Sequence, residues 1–165
     1  MRVLILGGDG YLGWPTAMHF AAKGHEVHTV DNYLRRTIAM QTQSEALIPA
    51  PNLPERIDIF KAQSGHEIGV TIGDVTDYRL LSQVFQEFQP ETVIHYAEQP
   101  SGPYSMIGYD EARLTLENNL ISTHNVIYAV MEYVPDCQII KIGTMGEYGT
   151  PEIDIPEGWI EIEHR

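Results

Sequence analysis

VLILGGDGYLG, residues 3–13, begins as an apolar run and continues with four glycines spread over seven positions. Residues 3–6 have the length and composition of a buried strand, and apolar residues recur at near-helical spacing over residues 11–23, before Gly24. Glycines between a strand and a helix permit a tight turn and let the backbone approach a pyrophosphate closely. Amide groups at the start of the helix favour such an anion. The sequence therefore predicts a dinucleotide-binding strand–turn–helix unit.

Two glycine patterns fit this loop, and spacing alone does not choose between them. Gly8, Gly10 and Gly13 form G-x-G-x-x-G, whereas Gly7, Gly10 and Gly13 form G-x-x-G-x-x-G. In either pattern the middle glycine lets the backbone approach the pyrophosphate, and the last lets the helix lie close to the strand. The loop residues that we expect to contact the cofactor are Gly7, Asp9, Gly10, Tyr11, Leu12 and Gly13.

Asp31 follows the second predicted strand, residues 27–30, about 20 positions beyond the glycines, where such folds carry an acidic residue. Its carboxylate can accept hydrogen bonds from the adenosine ribose hydroxyls and disfavours a 2′-phosphate, which favours NAD over NADP. Arg35 and Arg36 leave that choice open, because a nearby arginine can accommodate the phosphate. We expect Asp31, Asn32, Arg35 and Arg36 to contact the ribose end of the cofactor.

Asp74 is a further acidic residue at a strand end, after the strand predicted over residues 68–72. Its carboxylate could accept a hydrogen bond from the adenine amino group, with Val75 beside it. The alternative is that Asp74 or Asp77 caps the following helix. Acidic residues at two neighbouring strand ends, added to the glycine loop, favour dinucleotide binding over a chance set of turns.

Short β-branched runs alternate with helical patterns, which predicts an α/β fold, a three-layer Rossmann-type doubly wound parallel sheet. We expect a strand order near 3-2-1-4-5, with the cofactor across the carboxyl ends of the strands. Pro49, Pro51 and Pro54 predict a loop before a helix over residues 55–63. The other predicted elements are helices over residues 35–44, 79–88 and 112–133 and strands over residues 92–96 and 138–143.

The pattern changes after Thr150. Residues 151–158 are rich in turn formers, residues 159–164 alternate like a lone edge strand, and no helix follows the fifth predicted strand. We therefore expect an NAD-binding Rossmann domain over residues 1–150 and the start of a substrate-binding region over residues 151–165. On this interpretation the chain is the N-terminal part of a longer protein.

Charge and composition restrict the class of partner. The chain carries 23 acidic and 10 basic residues, a net charge of −13, so its surface repels nucleic acid and anionic membranes. Its seven histidines show no close metal-ligand spacing, and no segment is long enough to span a bilayer. We expect a cytoplasmic protein that binds no nucleic acid, membrane or metal ion.

Taken together, the loop, Asp31 and Asp74 resemble the extended branch of the short-chain dehydrogenase/reductase superfamily, which contains nucleotide-sugar epimerases and dehydratases. Four stretches resemble the UDP-sulfoquinovose synthase family more specifically: GGDGYLGWP at residues 7–15, Asp31-Asn32 with Arg35-Arg36, EQPSGPYSM at residues 98–106, and KIGTMGEYGTP at residues 141–151. The resemblance runs along the whole chain but covers only the N-terminal half of such an enzyme.

This resemblance implies an NAD-dependent enzyme of sulfolipid synthesis that converts UDP-glucose and sulfite into UDP-sulfoquinovose. In that family NAD oxidises the sugar at C4, water leaves across C5–C6, sulfite adds at C6, and the hydride returns to C4. By position, Thr144 matches the hydroxyl residue of the Ser/Thr-Tyr-Lys set, which implies a hydrogen bond to the C4 oxygen. Met145 and Glu147 match the Asp-Glu pair of 4,6-dehydratases, displaced by one position, with Glu147 as acid/base.

The resemblance also implies that Asn118 and Asn119 anchor the nicotinamide side and that Ala97 and Glu98 lie along the cofactor. It further implies that the protein forms a homodimer or higher homo-oligomer through residues 112–133. One departure matters, because no Tyr-x-x-x-Lys occurs in the 165 residues. We therefore expect this chain to bind NAD without turning over. A related NAD-dependent sugar epimerase or 4,6-dehydratase, and a non-catalytic NAD-binding module, are the alternatives.

Overall fold

Five strands and six helices make up the computed structural model, which describes residues 1–144 and Gly158. The strands are β1 (Arg2–Leu6), β2 (Glu26–Asp31), β3 (Gly69–Ile72), β4 (Thr92–His95) and β5 (Gln138–Lys141). The helices are α1 (Gly13–Ala22), α2 (Leu34–Gln41), α3 (Leu53–Ser64), α4 (Tyr78–Phe88), α5 (Gly102–Ser105) and α6 (Tyr109–Tyr133).

All five strands are parallel and form one sheet in the order β3-β2-β1-β4-β5. The predicted fold class and strand order are therefore confirmed. Strands β2 and β3 lie on one side of β1 in the sheet, and β4 and β5 lie on the other side. A doubly wound sheet opens a crevice where the strand order reverses, outside the carboxyl ends of the strands. Here that crevice lies between the loops that follow β1 and β4.

Alternating residues of β1 enter two separate cores, because successive side chains of a strand point to opposite faces. Leu4 and Leu6 pack on the face covered by α4 and α6, while Val3 and Ile5 pack on the face covered by α1 and α3. These four side chains are fully buried. A strand covered on both faces reads as a continuous apolar run, as β1 does.

The structure corrects one loop prediction and adds one helix. Pro54 does not extend the loop but lies in the first turn of α3, where a residue without an N–H group is tolerated. Asn52 caps that helix, since its side chain accepts a hydrogen bond from the Glu55 amide. The short helix α5, capped by Ser101, was not predicted.

Two predictions stay predictions after the fold is known. The substrate-binding region predicted over residues 151–165 lies outside the described residues, apart from Gly158. The cytoplasmic location is likewise not tested. Within residues 1–144, no helix combines the length and apolar character needed to cross a bilayer.

Candidate dinucleotide-binding site

The loop between β1 and α1 leaves no room for side chains at three of its four glycines. A Cβ at Gly7, whose φ is +91°, would lie 2.8 Å from the Tyr96 carbonyl carbon. A Cβ at Gly8 would lie 2.6 Å from the Cβ of Thr29, and one at Gly13 would overlap the Gly7 carbonyl oxygen. Tight packing therefore requires glycines from both candidate patterns.

Gly10 is less crowded than the other three glycines. A Cβ there would meet only the Gly7 carbonyl oxygen, at 3.3 Å. Helix α1 begins just beyond, with no side-chain cap and no acidic residue in its first turn. The Trp14 amide donates to the Gly10 carbonyl and residue 15 is proline, so an anion at this helix start would be bound by the amides that precede Trp14. This end of the loop fits a pyrophosphate.

The Asp31 carboxylate, at the end of β2, is fixed by two backbone amides. Its Oδ2 accepts a hydrogen bond from the Asp9 amide at 2.8 Å, and its Oδ1 accepts one from the Tyr33 amide at 2.7 Å. Burial raises the pKa of Asp31, and these two hydrogen bonds oppose that shift. Each carboxylate oxygen has a second lone pair, so Asp31 can still accept hydrogen bonds from ribose hydroxyls.

Asp9 binds two arginines, one of which the sequence interpretation missed. Its carboxylate accepts hydrogen bonds from Arg36 Nε at 2.7 Å and Arg36 Nη2 at 2.8 Å, and it forms an ion pair with Arg56. Arg56 lies in the first turn of α3, beyond the proline loop, and no local pattern pointed to it. Arg35 is exposed instead, with its guanidinium 5.3 Å from the centroid of the Tyr11 ring.

Asp74 lies at the turn after β3, where three groups donate to its carboxylate. Oδ1 accepts from the amide and the hydroxyl of Thr76, at 2.8 and 2.7 Å, and Oδ2 accepts from Asn32 Nδ2 at 3.0 Å. The cap of α4 is Asp77, which accepts from the Arg79 and Leu80 amides. Asp74 therefore stabilises the turn, and Asp77 is the one of the two aspartates that caps α4.

Asn125 of α6 supports the same turn and was missed by the sequence interpretation. Its buried side-chain amide donates to the carbonyl oxygens of Val75 and Thr76, at 3.0 and 2.9 Å. Next to this turn is an open cleft of about 530 Å³, a suitable size for part of a nucleotide. Its lining includes Leu34, Asp74, Thr76, Arg113, Asn118 and Ile121.

Two asparagines of α6 hold the turn that follows β4. Asn118 Nδ2 donates to the Ala97 carbonyl at 3.3 Å. Asn119 binds both backbone groups of Gln99, accepting from its amide at 2.8 Å and donating to its carbonyl at 3.1 Å. Their contacts in the structure position this turn along the crevice, and the predicted role of Asn118 and Asn119 on the nicotinamide side stays a prediction.

Glu98 forms an ion pair with Lys141 of β5 at 2.7 Å, beside a buried histidine. His95 Nε2 lies 3.2 Å from the Ser122 hydroxyl, and its Nδ1 has no hydrogen-bond partner among the described residues. Burial lowers the pKa of His95 to about 4, so the ring is neutral near pH 7. The Glu98 side chain thus links β4 to β5.

The predicted catalytic residues are only partly described. Thr144 follows β5 at the carboxyl edge of the sheet, the same edge as the glycine loop, and its side chain is exposed. Met145 and Glu147 lie outside the described residues. Among residues 1–144, no group of three histidine, cysteine, aspartate or glutamate side chains could hold a metal ion.

Comparison with known proteins matches residues 3–162 to the NAD dependent epimerase/dehydratase family. The chain is 45% identical to the chloroplastic UDP-sulfoquinovose synthase of Spinacia oleracea over 99% of its own length, and 46% identical to the UDP-sulfoquinovose synthase of Sulfolobus acidocaldarius over 95%. It spans only 34% and 40% of the lengths of these relatives.

The fold of this chain is also similar to that of a solved structure. The UDP-glucose 4-epimerase of Bifidobacterium longum, in complex with NAD⁺ and UDP, aligns with a TM-score of 0.70 and 25% identity. The alignment covers 93% of this chain and 40% of that one.

Proposed function

This chain belongs to the NAD dependent epimerase/dehydratase family, and we propose that it is the NAD-binding part of a UDP-sulfoquinovose synthase. The observation that carries the proposal is its identity of at least 45% to two relatives of that name, along nearly the whole chain. Identity to the structurally similar UDP-glucose 4-epimerase is 25%. The chain therefore resembles the synthases much more closely than that epimerase.

Three parts of the described site would hold NAD. The loop at Gly10 and the start of α1 would bind the pyrophosphate, and Asp31 would bind the adenosine ribose hydroxyls. The cleft beside Asp74 and Thr76 would take the adenine. The turn held by Asn118 and Asn119 would lie along the nicotinamide half. When bound, NAD supplies reversible hydride transfer with the substrate.

The proposed substrates are UDP-glucose and sulfite. Thr144 would hydrogen-bond the C4 oxygen of the sugar as that oxygen loses and regains its proton. Glu147, which together with Met145 matches the Asp-Glu pair of 4,6-dehydratases by position, would take the proton from C5 and protonate the departing C6 hydroxyl. The Tyr-x-x-x-Lys base of related enzymes has no counterpart within the 165 residues. These residues alone would therefore bind NAD without completing a turnover.

We also propose that α6 forms a homodimer interface. Its outer face carries four exposed apolar side chains at spacings of four, seven and four residues, which places them on one side of the helix. They are Leu116, Leu120, Ile127 and Met131. A row of exposed apolar side chains on a long helix is unfavourable in water and is covered when a second copy packs against it.

The test is to incubate the purified full-length protein with UDP-glucose, with and without sulfite, and to identify the products by mass spectrometry. A product that carries sulfonate and forms only with sulfite supports the proposal. A 4-keto or epimerised sugar nucleotide formed without sulfite would identify an epimerase or 4,6-dehydratase instead. Binding of NAD without any turnover of nucleotide sugar would identify a non-catalytic module.

A further inference from the structure

Three arginines lie near the expected position of the adenosine ribose, which on charge alone suits a 2′-phosphate. Arg35 and Arg36 lie in the first turn of α2, shortly after β2, and Arg56 approaches from α3. The hydrogen bond to Asp9 is the main cause of the raised pKa of Arg36, and the negative charge of Asp31 adds to it. Burial raises the pKa of Asp31, and the positive charge of Arg56 partly opposes that rise. Arg36 and Arg56 are therefore close enough to Asp31 to influence a group bound there.

The Arg36 guanidinium donates hydrogen bonds to Asp9 and to two backbone carbonyls. Nε and Nη2 donate to the Asp9 carboxylate, Nη2 donates also to the Pro51 carbonyl at 2.7 Å, and Nη1 donates to the Ala50 carbonyl at 2.9 Å. Each guanidinium nitrogen thus has an acceptor within the chain. These four hydrogen bonds use four of the five N–H donors, so Arg36 could bind a phosphate through two parallel hydrogen bonds only if some of them broke.

Arg56 is also held by Asp9. Its Nη2 donates to the Asp9 carbonyl at 3.1 Å and to the Asp9 carboxylate, and its guanidinium lies 5.0 Å from the centroid of the Trp14 ring. The side chain is 14% exposed, and its buried Nε has no partner among the described residues. Arg56 therefore has unused hydrogen-bonding capacity at Nε, but it is bound to the carboxylate of Asp9, which it shares with Arg36.

Arg35 does not replace these two arginines. It is exposed and lies over the Tyr11 ring, whereas Asp9, Arg36 and Arg56 form a part-buried cluster. The Asp9 amide also donates to Asp31, so the cluster and the ribose-binding carboxylate share one loop. Two carboxylates and two guanidinium groups together carry no net charge. A 2′-phosphate would therefore meet Asp31 while both part-buried arginines are already paired with Asp9, and only the exposed Arg35 lies outside that cluster.

We propose that Asp9 determines coenzyme choice, because it withholds Arg36 and Arg56 from the position of a 2′-phosphate and thereby makes the site accept NAD and reject NADP. This inference rests on the proposed function. It assigns to Asp9 a specificity role in addition to that of the acidic residue at the end of β2. Removal of the Asp9 charge would free two arginines next to the ribose.

The test measures dissociation constants of NADH and NADPH by fluorescence titration of the purified full-length protein, with circular dichroism to verify folding. We expect Asp9→Asn to improve NADPH affinity relative to NADH affinity by about tenfold or more, the usual effect of a new charge-assisted hydrogen bond. Adding Arg36→Met to Asp9→Asn should reverse most of that gain. Asp58→Asn, an equal charge change on the exposed side of α3, should leave the ratio unchanged.

Asp31→Asn provides a second variant in which the Asp9 cluster stays intact. We expect it to weaken NADH binding without a gain in NADPH affinity, because the arginines remain bound to Asp9. A gain of tenfold or more in NADPH affinity in Asp31→Asn, or an unchanged ratio in folded Asp9→Asn, would overturn the inference. Absence of NADH binding by the unmodified protein would instead contradict the proposed function, so the two failures are distinguishable.

Discussion

The backbone amide of Asp9 donates a hydrogen bond to Oδ2 of Asp31 across 2.8 Å, although the two residues are 22 positions apart. This contact joins the glycine loop to the end of β2. The Gly7 and Gly8 amides, which both donate to the Val30 carbonyl, reinforce the connection. The pyrophosphate-binding and ribose-binding parts of the candidate site are therefore preorganised relative to each other, which lowers the entropy lost when a ligand binds.

Gly10→Ala should reduce NADH affinity while it leaves the stability of the fold nearly unchanged. The added methyl group meets only the Gly7 carbonyl oxygen, at 3.3 Å, so the free energy of unfolding should change by no more than about 1 kcal/mol. The same methyl group projects into the space proposed for the pyrophosphate. NADH affinity should fall by about tenfold or more, as measured by fluorescence titration. Undiminished affinity would place the pyrophosphate elsewhere.

Gly13→Ala should destabilise the fold itself, because the new Cβ would overlap the Gly7 carbonyl oxygen. We expect the free energy of unfolding to fall by about 1–3 kcal/mol, the usual cost of overpacking, as measured by urea denaturation. Gly102→Ala is the matched control, since nothing lies within 4 Å of a Cβ there. Equal stability of the two variants would show that the loop is not packed as described.

Asn125→Ala should destabilise the turn at the proposed adenine end of the site. The substitution leaves the Val75 and Thr76 carbonyls without their donor, so the free energy of unfolding should fall by about 1–3 kcal/mol. Asn125→Asp, of nearly equal size, cannot donate to either carbonyl when ionised and should cost at least as much. Urea denaturation measures both effects, and wild-type stability in both variants would be inconsistent with the described contacts.

Stability should decrease on acidification because of His95. Burial lowers its pKa from an ordinary value of 6.5 to about 4, so the unfolded chain takes up a proton between these values while the folded chain does not. This contribution to stability is present above pH 6.5 and is lost progressively as the pH falls toward 4. Its full size is about 3 kcal/mol.

His95→Asn removes that titration. Urea denaturation between pH 7 and pH 4 should show a smaller loss of stability in the variant than in the wild type, and comparison of the two cancels the effect of other titrating groups. His28, whose pKa burial also lowers, remains in both proteins. Parallel pH profiles would mean that His95 is not kept neutral by burial.

Leu120→Glu should disrupt the proposed dimer. Leu120 is 66% exposed in the single chain, and a carboxylate in the middle of an apolar interface would be buried without a partner. Light scattering after gel filtration should show a shift from dimer to monomer. Leu47→Glu, at an exposed position in the loop between α2 and α3, serves as the control and should not change the mass.

Local patterns were sufficient for the sheet and for the first part of the site. The apolar run of β1, the glycines and Asp31 follow one another within a single strand–helix–strand unit, whose geometry is nearly fixed by the right-handed crossover. The strand order was expected from the doubly wound fold that such units build.

Contacts between distant segments were not predictable in this way. Arg56 lies 47 positions from Asp9, and Asn125 lies 50 positions from Val75. No spacing rule brings these pairs together, since their proximity depends on how α3 and α6 pack on the sheet. The sequence left the role of Arg36 open for the same reason, because its partner Asp9 lies on a different loop.

Calorimetric titration of coenzyme-free, folded full-length protein with NADH shows whether the crevice binds the coenzyme. We expect saturable binding of one NADH per chain, with affinity reduced at least about tenfold in Asp31→Asn because two ribose hydrogen bonds to a carboxylate are lost. Titration without measurable heat or saturation, at a temperature where circular dichroism shows the native fold, would contradict the assignment of the crevice as an NAD site.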